Sequence, residues 1–296
     1  MPFKQELSRI ATDVEEVLEE MLPRQNADWA GAPANAARYA ALDAGKRLRT
    51  FLTVQSAGLF DAPYESSLRA GAVIEMIHNY SLIHDDLPCM DNDQLRRGRP
   101  SAWAKYGERN ALLAGNFLAN WPYYILAIDD KISADAAVRL ELTKILANAT
   151  NGMLLGQYMD CDAADFGKFQ SAEAIDKIQS LKTGQIFLAC TMFGATLGGA
   201  DANTRAALKK FTDAMGLCFQ ITDDILDATG DQEKVGKTLH KDAAAGKATY
   251  ISLLGLDGAR AKATELAATA KDALSIFDSR ADHLREMMDY MVTRES

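Results

Sequence analysis

The stretch KQELSRIATDVEEVLEEMLP, residues 4 to 23, decides the secondary-structure class of the chain. Its apolar residues recur at spacings of three and four, which is the pattern of one buried face on an amphipathic helix. These apolar residues are Leu7, Ile10, Val14, Val17, Leu18 and Met21. Pro23 ends the pattern, because proline cannot continue a helix without the loss of a backbone hydrogen bond.

The same helical period recurs along the rest of the chain. The predicted helical segments cover residues 64–86, 104–128, 134–159, 172–198, 203–228 and 259–292. Short connections rich in Gly, Pro, Asp or Ser separate them, and no segment shows a convincing strand-like alternation. The chain is therefore predicted to be all-α, with about ten helices. No linker-like segment divides it, which predicts a single domain over residues 1–296.

Composition limits the environment and the partners of the chain. The net charge of −9 argues against nucleic acid or an anionic membrane surface as a general partner. The four cysteines form no C-x-x-C pair, which is typical of a protein in a reducing compartment. The N-terminal residues lack the layout of a secretory signal, and no uninterrupted apolar run reaches about 18 residues. We therefore expect a cytoplasmic protein without an integral membrane segment.

One acidic motif, DDILD at residues 223–227, lies in a predicted helix. Asp223 and Asp227 are four residues apart, so they share one helix face. Gln220 lies three residues before Asp223 and joins that face. The motif is therefore predicted to present a surface of oxygen ligands.

Another acidic motif, DDLPCMD at residues 85–91, follows an apolar run. The six-residue step from Asp85 to Asp91 advances about 240° on an ideal helix, which would point the two carboxylates apart. A bend near Pro88 is therefore predicted to bring Asp91 back beside Asp85. His78 lies seven residues before Asp85, on the same face and about 10 Å along the helix.

A third segment, DDKISAD at residues 129–135, has the same acidic pattern as the motif at residues 85–91. It lies between two predicted helices, where Ser133 and Asp135 are typical capping residues. We predict that this segment is structural. The acidic pattern alone therefore does not identify a functional site.

The acidic motifs are accompanied by cations that suit phosphate. Carboxylates that face one another repel, and a divalent cation with oxygen ligands, usually Mg²⁺, relieves that repulsion and is often shared with a substrate phosphate. The cations suited to phosphate oxygens are Lys46, Arg47, Arg49, Arg96, Arg97, Lys182, Lys237, Lys241 and Lys247. Residues 229–249 form a long polar break and are predicted to act as a lid. The combination predicts a diphosphate held through metal.

Five segments together resemble the short-chain trans-polyprenyl diphosphate synthases, most closely the bacterial farnesyl diphosphate synthases. These segments are GKRLRT (45–50), HNYSLIHDDLPCMDNDQLRRGRPS (78–101), LKTGQIF (181–187), FQITDDILD (219–227) and GKTLHKDAAAGKATY (236–250). The resemblance implies an all-α, isoprenoid-synthase-type helical bundle around a deep central cavity. It also implies three Mg²⁺ ions per active site and, usually, a homodimer.

The resemblance assigns roles to individual residues. It implies that Asp85, Asp91 and Asp223 are direct metal ligands, with Asp86 also at the metal and Asp224 and Asp227 in supporting positions. Isopentenyl diphosphate would be bound by Lys46, Arg49, His78 and Arg97. The allylic diphosphate would be bound by Arg96, Lys182, Thr183, Gln220, Lys237 and Lys247. The residues implied in catalysis are Asp85, Asp91, Asp223, Lys182 and Lys237. Three positions depart from the family pattern, which are Ala44, Thr50 and His240.

The implied reaction is a head-to-tail condensation of isopentenyl diphosphate with dimethylallyl or geranyl diphosphate. Metal and cations stabilise diphosphate as a leaving group, and the alkene attacks the allylic cation. Tyr80 and Ser81 lie about 6 to 8 Å below Asp85 on a helix, so they are the predicted floor of the product cavity. A bulky Tyr80 resembles the floor of an enzyme that stops at farnesyl diphosphate.

Four alternatives remain open at this point. Geranylgeranyl diphosphate synthases share DDLPCMD, so a C20 product competes with C15. A class I terpene cyclase and a non-catalytic helical subunit are more distant, because this chain keeps both acidic motifs and GKRLR. A metal phosphohydrolase using His84 and Asp85 is disfavoured, because His78 points about 120° away from His84 on a helix.

Overall fold

The computed structural model describes residues 1–23, 31–42, 45–166, 168, 171–229 and 249–293. Most of these residues lie in helices, which confirms the all-α prediction. The helices are α1 (Phe3–Met21), α2 (Gly31–Ala41), α3 (Leu48–Gly58), α4 (Tyr64–Asp85), α5 (Ala102–Tyr106), α6 (Glu108–Ile128), α7 (Ala136–Phe166), α8 (Ala172–Gln179), α9 (Gln185–Leu197), α10 (Ala202–Thr229), α11 (Tyr250–Ala273) and α12 (Asp282–Thr293). A π-helical turn (Ser180–Gly184) joins α8 to α9, and a 3₁₀ turn (Ser279–Ala281) precedes α12.

Helix α4 is the central element of the bundle. Most of its residues are buried, and it packs against α1, α3, α6 and α9. A helix that is buried on nearly all sides is expected to be apolar around most of its circumference, as α4 is. It ends at Asp85, so its C-terminal end carries the acidic motif of residues 85–91.

The start of α3 lies unusually close to α4. A Cβ atom at Gly71 would stand 2.7 Å from Thr50 Cγ2 and 2.9 Å from Thr50 Cα. Glycine at position 71 therefore allows the first turn of α3 to approach the α4 backbone. The turn before α3 has positive φ angles at Gly45 (78°) and Arg47 (52°).

A short hairpin follows the acidic motif and was not predicted. Strand β1 (Leu95–Arg96) pairs antiparallel with β2 (Arg99–Pro100), with Arg96 opposite Arg99. The two turn residues, Arg97 and Gly98, both have positive φ angles, of 54° and 72°. This is the geometry of tight hairpin turns that match the twist of the strands.

The acidic segment at residues 129–135 is structural, as predicted. Asp129 accepts a hydrogen bond from Arg69 Nε at 2.8 Å. Asp135 Oδ1 accepts from the backbone N–H of Ala137 at 2.7 Å at the start of α7. These carboxylates cap a helix and pair with an arginine.

Several predicted segments differ from the observed helices. The segment predicted at 172–198 is interrupted by the π-helical turn, and the one at 259–292 is two helices, α11 and α12. Helices α2 and α3 were not predicted. Helix α6 is long and apolar enough to span a membrane by length and composition alone, and in the bundle it packs against α2, α4, α5 and α7.

Candidate active site

A cavity of about 390 Å³ lies beside the C-terminal half of α4. Helices α3, α4, α6, α7 and α9 and the π-helical turn all contribute to its wall. The lining residues are Arg49, His78, Tyr80, Ser81, Leu82, His84, Asp85, Leu87, Cys89, Met90, Leu112, Met153, Leu154, Gln157, Lys182, Thr183 and Ile186. Most of the lining is apolar, and a small number of charged groups enter it. Such a cavity can shield a reactive intermediate from water.

The backbone after α4 turns back on itself at the acidic motif. The N–H of Asp91 donates to the carbonyl oxygen of Asp85 at 2.8 Å. The N–H of Asn92 donates to Leu87 O at 3.1 Å, and Asn92 itself has a φ of 52°. The bend that the sequence predicted is therefore present, and it brings Asp91 back to the end of α4.

The carboxylates at this bend repel one another. Burial raises the pKa of the Asp85 carboxyl to about 6. The positive charge of Lys182 opposes that rise, and the negative charge of Asp91 adds to it. Arg96 opposes the rise and Asp86 adds to it, both more weakly. Burial therefore outweighs the nearby cations, and a further cation would stabilise the ionised form of Asp85.

Asp86 faces away from the large cavity. It is buried, and its carboxylate accepts hydrogen bonds from Arg96 Nε at 3.0 and 3.3 Å and from Arg96 Nη2. Asp86 and Arg96 line a second, smaller cavity instead. Since both oxygens of Asp86 are engaged by Arg96, this arrangement does not support the predicted place of Asp86 at the metal.

A cluster of cations lies where α3 begins, close to His78. Arg49 packs on the Phe187 ring at 5.1 Å, and its buried Nε has no hydrogen-bond partner among the described residues. Burial lowers the pKa of His78 well below its usual range, and the positive charges of Arg49 and Arg97 lower it further. His78 is therefore neutral at physiological pH. A buried guanidinium with an unused donor suits an anionic ligand.

Two further cations of this cluster have different surroundings. Lys46 Nζ lies 5.6 Å from the centroid of the Tyr290 ring. Burial lowers the pKa of Arg97 to about 10, with Arg47 among the cations that add to this fall. Gly45 lies against Arg97, since a Cβ at position 45 would stand 3.2 Å from its Cζ.

Lys182 enters the cavity from the π-helical turn. Its Nζ donates to Asp160 Oδ2 at 2.7 Å, and the charges of Asp160 and Asp85 raise the pKa of Lys182 against the effect of burial. Helix α7 approaches this turn closely, because a Cβ at Gly156 would stand 2.3 Å from Lys182 N. π-Helical turns often mark functional sites, and this one directs a cation at the acidic motif.

The second acidic motif lies on α10. Asp223 is near Arg49, where its charge opposes the fall that burial causes in the pKa of Arg49. Asp224 Oδ2 accepts from the N–H of Tyr250 at 2.8 Å, at the first residue of α11. Gln220 and Asp227 are half-buried on the same helix. Asp224 therefore ties α10 to the helix that follows residues 230–248.

Some predicted residues lie outside the described part of the chain. They are Ala44, Lys237, His240, Lys241 and Lys247, together with nearly all of the predicted lid at residues 229–249.

The predicted floor residues line the cavity. The Tyr80 ring packs edge-on against His84 at 5.7 Å, and Ser81 Oγ donates to His78 O at 2.9 Å. His84 Nε2 lies 3.2 Å from Leu112 O, and a Cβ at Gly115 would overlap the His84 ring. His84 is therefore held by packing and hydrogen bonding to α6.

Sequence reasoning missed two acidic residues near the site, Asp160 and Glu75. Asp160 holds Lys182, and Glu75 lies beneath the cation cluster, 2% exposed. Glu75 is a single acid in an apolar part of its helix, and Asp160 lies in MDCDAAD (159–165), which matches neither acidic motif. The available signal was an isolated charge in an apolar run, such as AVIEMIHNY around Glu75.

Comparisons with known proteins agree with this geometry. The family model "Polyprenyl synthetase" matches residues 33–291. The chain is 37% identical over 304 residues to the farnesyl diphosphate synthase of Escherichia coli K12, covering 99% of each chain. It is 37% identical over 265 residues to a chloroplastic geranylgeranyl pyrophosphate synthase of Arabidopsis thaliana, covering 88% of this chain and 76% of the relative. The apo crystal structure of an FPP/GFPP synthase from Zymomonas mobilis superposes with a TM-score of 0.89 at 40% identity, covering 98% of this chain and 99% of the other.

Proposed function

Because the chain belongs to the polyprenyl synthetase family and is a trans-prenyltransferase, we propose that it condenses isopentenyl diphosphate with dimethylallyl or geranyl diphosphate to give farnesyl diphosphate. The observation that supports this best is the single cavity that Arg49, His78, Asp85 and Lys182 line together. Cations and a carboxylate at an apolar cavity suit the transfer of a hydrocarbon from diphosphate. We also propose that residues 1–296 act as one catalytic domain.

We propose that Asp85, Asp91 and Asp223 hold Mg²⁺, about three ions per site when substrate is bound. In the described part of the chain, no three His, Cys, Asp or Glu side chains come together as a ready metal site. The donors nevertheless fit this ion, because Mg²⁺ usually takes one or two carboxylates and completes its shell with water and substrate phosphate. The raised pKa of Asp85 fits the same assignment, since burial disfavours the charged carboxylate and a bound cation would favour it. Bound Mg²⁺ would neutralise diphosphate and so make it a better leaving group.

The allylic diphosphate is bound on the side of the cavity that carries Lys182 and Thr183. The Lys182 ammonium is fixed by Asp160 and stabilises the negative charge that grows on the leaving group as the C–O bond breaks. Arg96, Gln220, Lys237 and Lys247 complete this proposal, the two lysines from outside the described residues. The bond's electron pair leaves with the diphosphate and an allylic cation remains.

Isopentenyl diphosphate is bound by Lys46, Arg49, His78 and Arg97. The free Nε of Arg49 supplies a fixed donor, and neutral His78 supplies a donor without adding charge. The alkene of isopentenyl diphosphate attacks the allylic cation and forms the new C–C bond. The product alkene forms as a proton leaves C2 and passes to the departed diphosphate. The apolar lining keeps water away from the cation while this happens.

Tyr80 and Ser81 are proposed as the floor that stops growth at C15. Both line the cavity, on the turn of α4 that precedes Asp85. A C20 product is the second candidate, and it is supported by the similarity to geranylgeranyl synthases.

A homodimer is proposed through the exposed face of α6 and α7. This face carries large apolar side chains that are about half exposed, and a patch of this kind on a soluble protein usually marks an interface. The residues are Leu112, Leu113, Tyr124, Ile128, Leu140, Leu154, Leu155 and Tyr158. A sedimentation experiment on wild type and Leu155→Glu tests the dimer, and a monomeric wild-type protein would rule it out.

All four cysteines are free thiols, which supports a cytoplasmic location.

The reaction is tested by incubating pure protein with Mg²⁺, isopentenyl diphosphate and either allylic diphosphate, with products resolved by mass spectrometry. We expect a C15 diphosphate that depends on both substrates and on the metal. Hydrocarbon formation from the allylic substrate alone would indicate a cyclase. Phosphate release without isopentenyl diphosphate would indicate a hydrolase, and no turnover at all would indicate a non-catalytic subunit.

A further inference from the structure

Glu75 is a buried carboxylate to which the proposed reaction gives no role. It lies on α4, one turn before His78, and is 2% exposed. A charge in such a position is unfavourable unless it is paired and hydrogen-bonded. The partners of Glu75 therefore show what the side chain contributes.

The first partner of Glu75 is the start of α3. Glu75 Oε1 accepts from Thr50 N at 3.2 Å and from Thr50 Oγ1 at 3.4 Å. The N–H groups of a first helical turn have no partner within the helix, and the N-cap residue Arg47 provides no side-chain cap here. Glu75 thus supplies the missing acceptor and anchors the turn that carries Arg49.

The second partner is Arg47, whose φ of 52° is uncommon for a bulky residue. Arg47 Nη1 donates to Glu75 Oε2 at 3.3 Å. Its Nε donates to Glu15 Oε1 at 2.8 Å, and its Nη2 donates to Ala41 O at 2.6 Å. These acceptors on α1, α2 and α4 hold the backbone of residues 45–47 in its left-handed turn. Arg47 is consequently a structural cation rather than one left available for phosphate.

The negative charge of Glu75 also acts on the nearby cations Arg49 and Arg97. Burial is the main cause of the lowered pKa of both Arg49 and Arg97, and in both cases the Glu75 carboxylate opposes the fall. The turn at residues 45–47 lies between Glu75 and the Arg97 guanidinium that packs on Gly45. Glu75 therefore both fixes this turn and reduces repulsion among the cations around it.

We propose that Glu75 is a positioning residue for the isopentenyl diphosphate pocket, holding the turn that carries Lys46 and Arg49 in its binding conformation. The inference rests on the function proposed for that pocket. Glu75 acts through its hydrogen bonds to Thr50 and Arg47, and it does not touch substrate. It should therefore affect one substrate and not the other.

Steady-state kinetics of Glu75→Gln, with each substrate varied in turn, tests this role. The KM for isopentenyl diphosphate should rise about tenfold, the effect expected when a charged hydrogen bond that fixes a binding group is lost. The KM for the allylic diphosphate should stay within about twofold, because those of its proposed ligands that the structure describes lie on β1, α10 and the π-helical turn. Glu75→Asp keeps the charge on a shorter stem and should restore part of the affinity.

Glu15→Gln is the matched control. It removes the negative charge of Glu15, which also pairs with Arg47, but it leaves Thr50 and α4 unchanged. It loosens Arg47 but leaves the first turn of α3 anchored to Glu75, so it should raise the KM for isopentenyl diphosphate clearly less than Glu75→Gln does, by no more than about threefold. An equal rise in this control would overturn the assignment to Glu75. So would an equal rise in both KM values for Glu75→Gln, or an unchanged KM for isopentenyl diphosphate. A fall in that KM would also overturn it, since Glu75 would then act as a charge that repels diphosphate.

Calorimetric titration of isopentenyl diphosphate separates this inference from the proposed reaction. A wild-type protein that binds isopentenyl diphosphate but forms no product would refute the reaction alone, and the ratio of Kd values between wild type and variant would still test Glu75. Circular dichroism checks the fold of each variant. If Glu75→Gln does not fold, Glu75→Asp is compared with wild type instead. Its Kd for isopentenyl diphosphate should then rise by less than about tenfold, and an unchanged Kd would refute the role.

Discussion

Replacing Asp85 by Asn should make the metal-free protein more stable at neutral pH while it removes the activity. Asp85 lies at the end of α4, in a half-buried position next to Asp91. Asn has nearly the same shape and carries no charge. The substitution therefore removes the repulsion at the acidic motif and also removes the proposed metal ligand.

The expected gain in stability follows from the pKa of Asp85. Burial raises this pKa from 3.8 to about 6. The folded protein then binds a proton more tightly than the unfolded chain, so the stability of metal-free wild type falls as the pH rises from about 4 to about 6 and stays reduced at pH 7. A pKa rise of this size corresponds to about 3 kcal/mol. Because Asp85 is partly exposed and solvent screens it, we expect a gain of about 1–2 kcal/mol, or about 3–6 °C in Tm.

Thermal unfolding in the presence of a chelator measures this gain. At pH 5 the wild-type carboxyl is mostly protonated, so the advantage of Asp85→Asn should shrink by about half. Asp130→Asn is the control, because Asp130 is exposed and pairs with Arg139 at 2.9 Å, and it should give no gain. An Asp85→Asn variant that is no more stable than wild type at pH 7, or whose advantage is the same at both pH values, would contradict the role given to the buried charge of Asp85.

Three other substitutions test separate parts of the site. Tyr80→Ala should lengthen the product by at least one isoprene unit in mass spectra, and an unchanged length would remove Tyr80 as the floor. Gly156→Ala should lower kcat/KM for the allylic substrate about 10- to 100-fold, because its Cβ would stand 2.3 Å from Lys182 N, whereas Gly58→Ala, with no atom within 4 Å, should have little effect. Asp160→Asn should raise the KM for the allylic substrate about tenfold, since the Lys182 ammonium loses the carboxylate that fixes it. A KM equal to that of wild type would show that Asp160 is not needed to position Lys182.

The helical period predicted the helical bundle but not every boundary between its elements. Helices such as α4 and α10 were predictable because their apolar residues recur over many turns. The boundary between α11 and α12 was missed because the period continues across residues 274–281. The hairpin of β1 and β2 was missed because two-residue strands are too short to show alternation.

The acidic bend could be predicted from helix geometry once Asp85 and Asp91 are taken to act together. A step of 240° had to be reversed for Asp85 and Asp91 to meet, and the N–H of Asp91 closes that turn. The contributions of Asp160 and Glu75 could not be predicted. Their partners, Lys182 and Arg47, are distant in sequence, so the pairs exist only through tertiary packing.

The Arg96–Asp86 pair shows the same limit within a single motif. Both residues match family positions, and no pattern in the sequence indicated that they would bind each other. Their pairing arises because the hairpin turns the chain back over the end of α4. The family resemblance could therefore assign a role to each of these residues, but it could not predict where their side chains point.

The most direct test of the proposed reaction compares condensation by Asp85→Ala, Asp223→Ala and Asp130→Ala. All three remove an Asp from an acidic motif, but Asp130 belongs to the structural segment at residues 129–135. We expect the first two variants to lose at least about a hundredfold in kcat/KM for product formation, while Asp130→Ala stays within about twofold of wild type. Full activity in Asp85→Ala or Asp223→Ala, or an equal loss in Asp130→Ala, would contradict the proposed reaction.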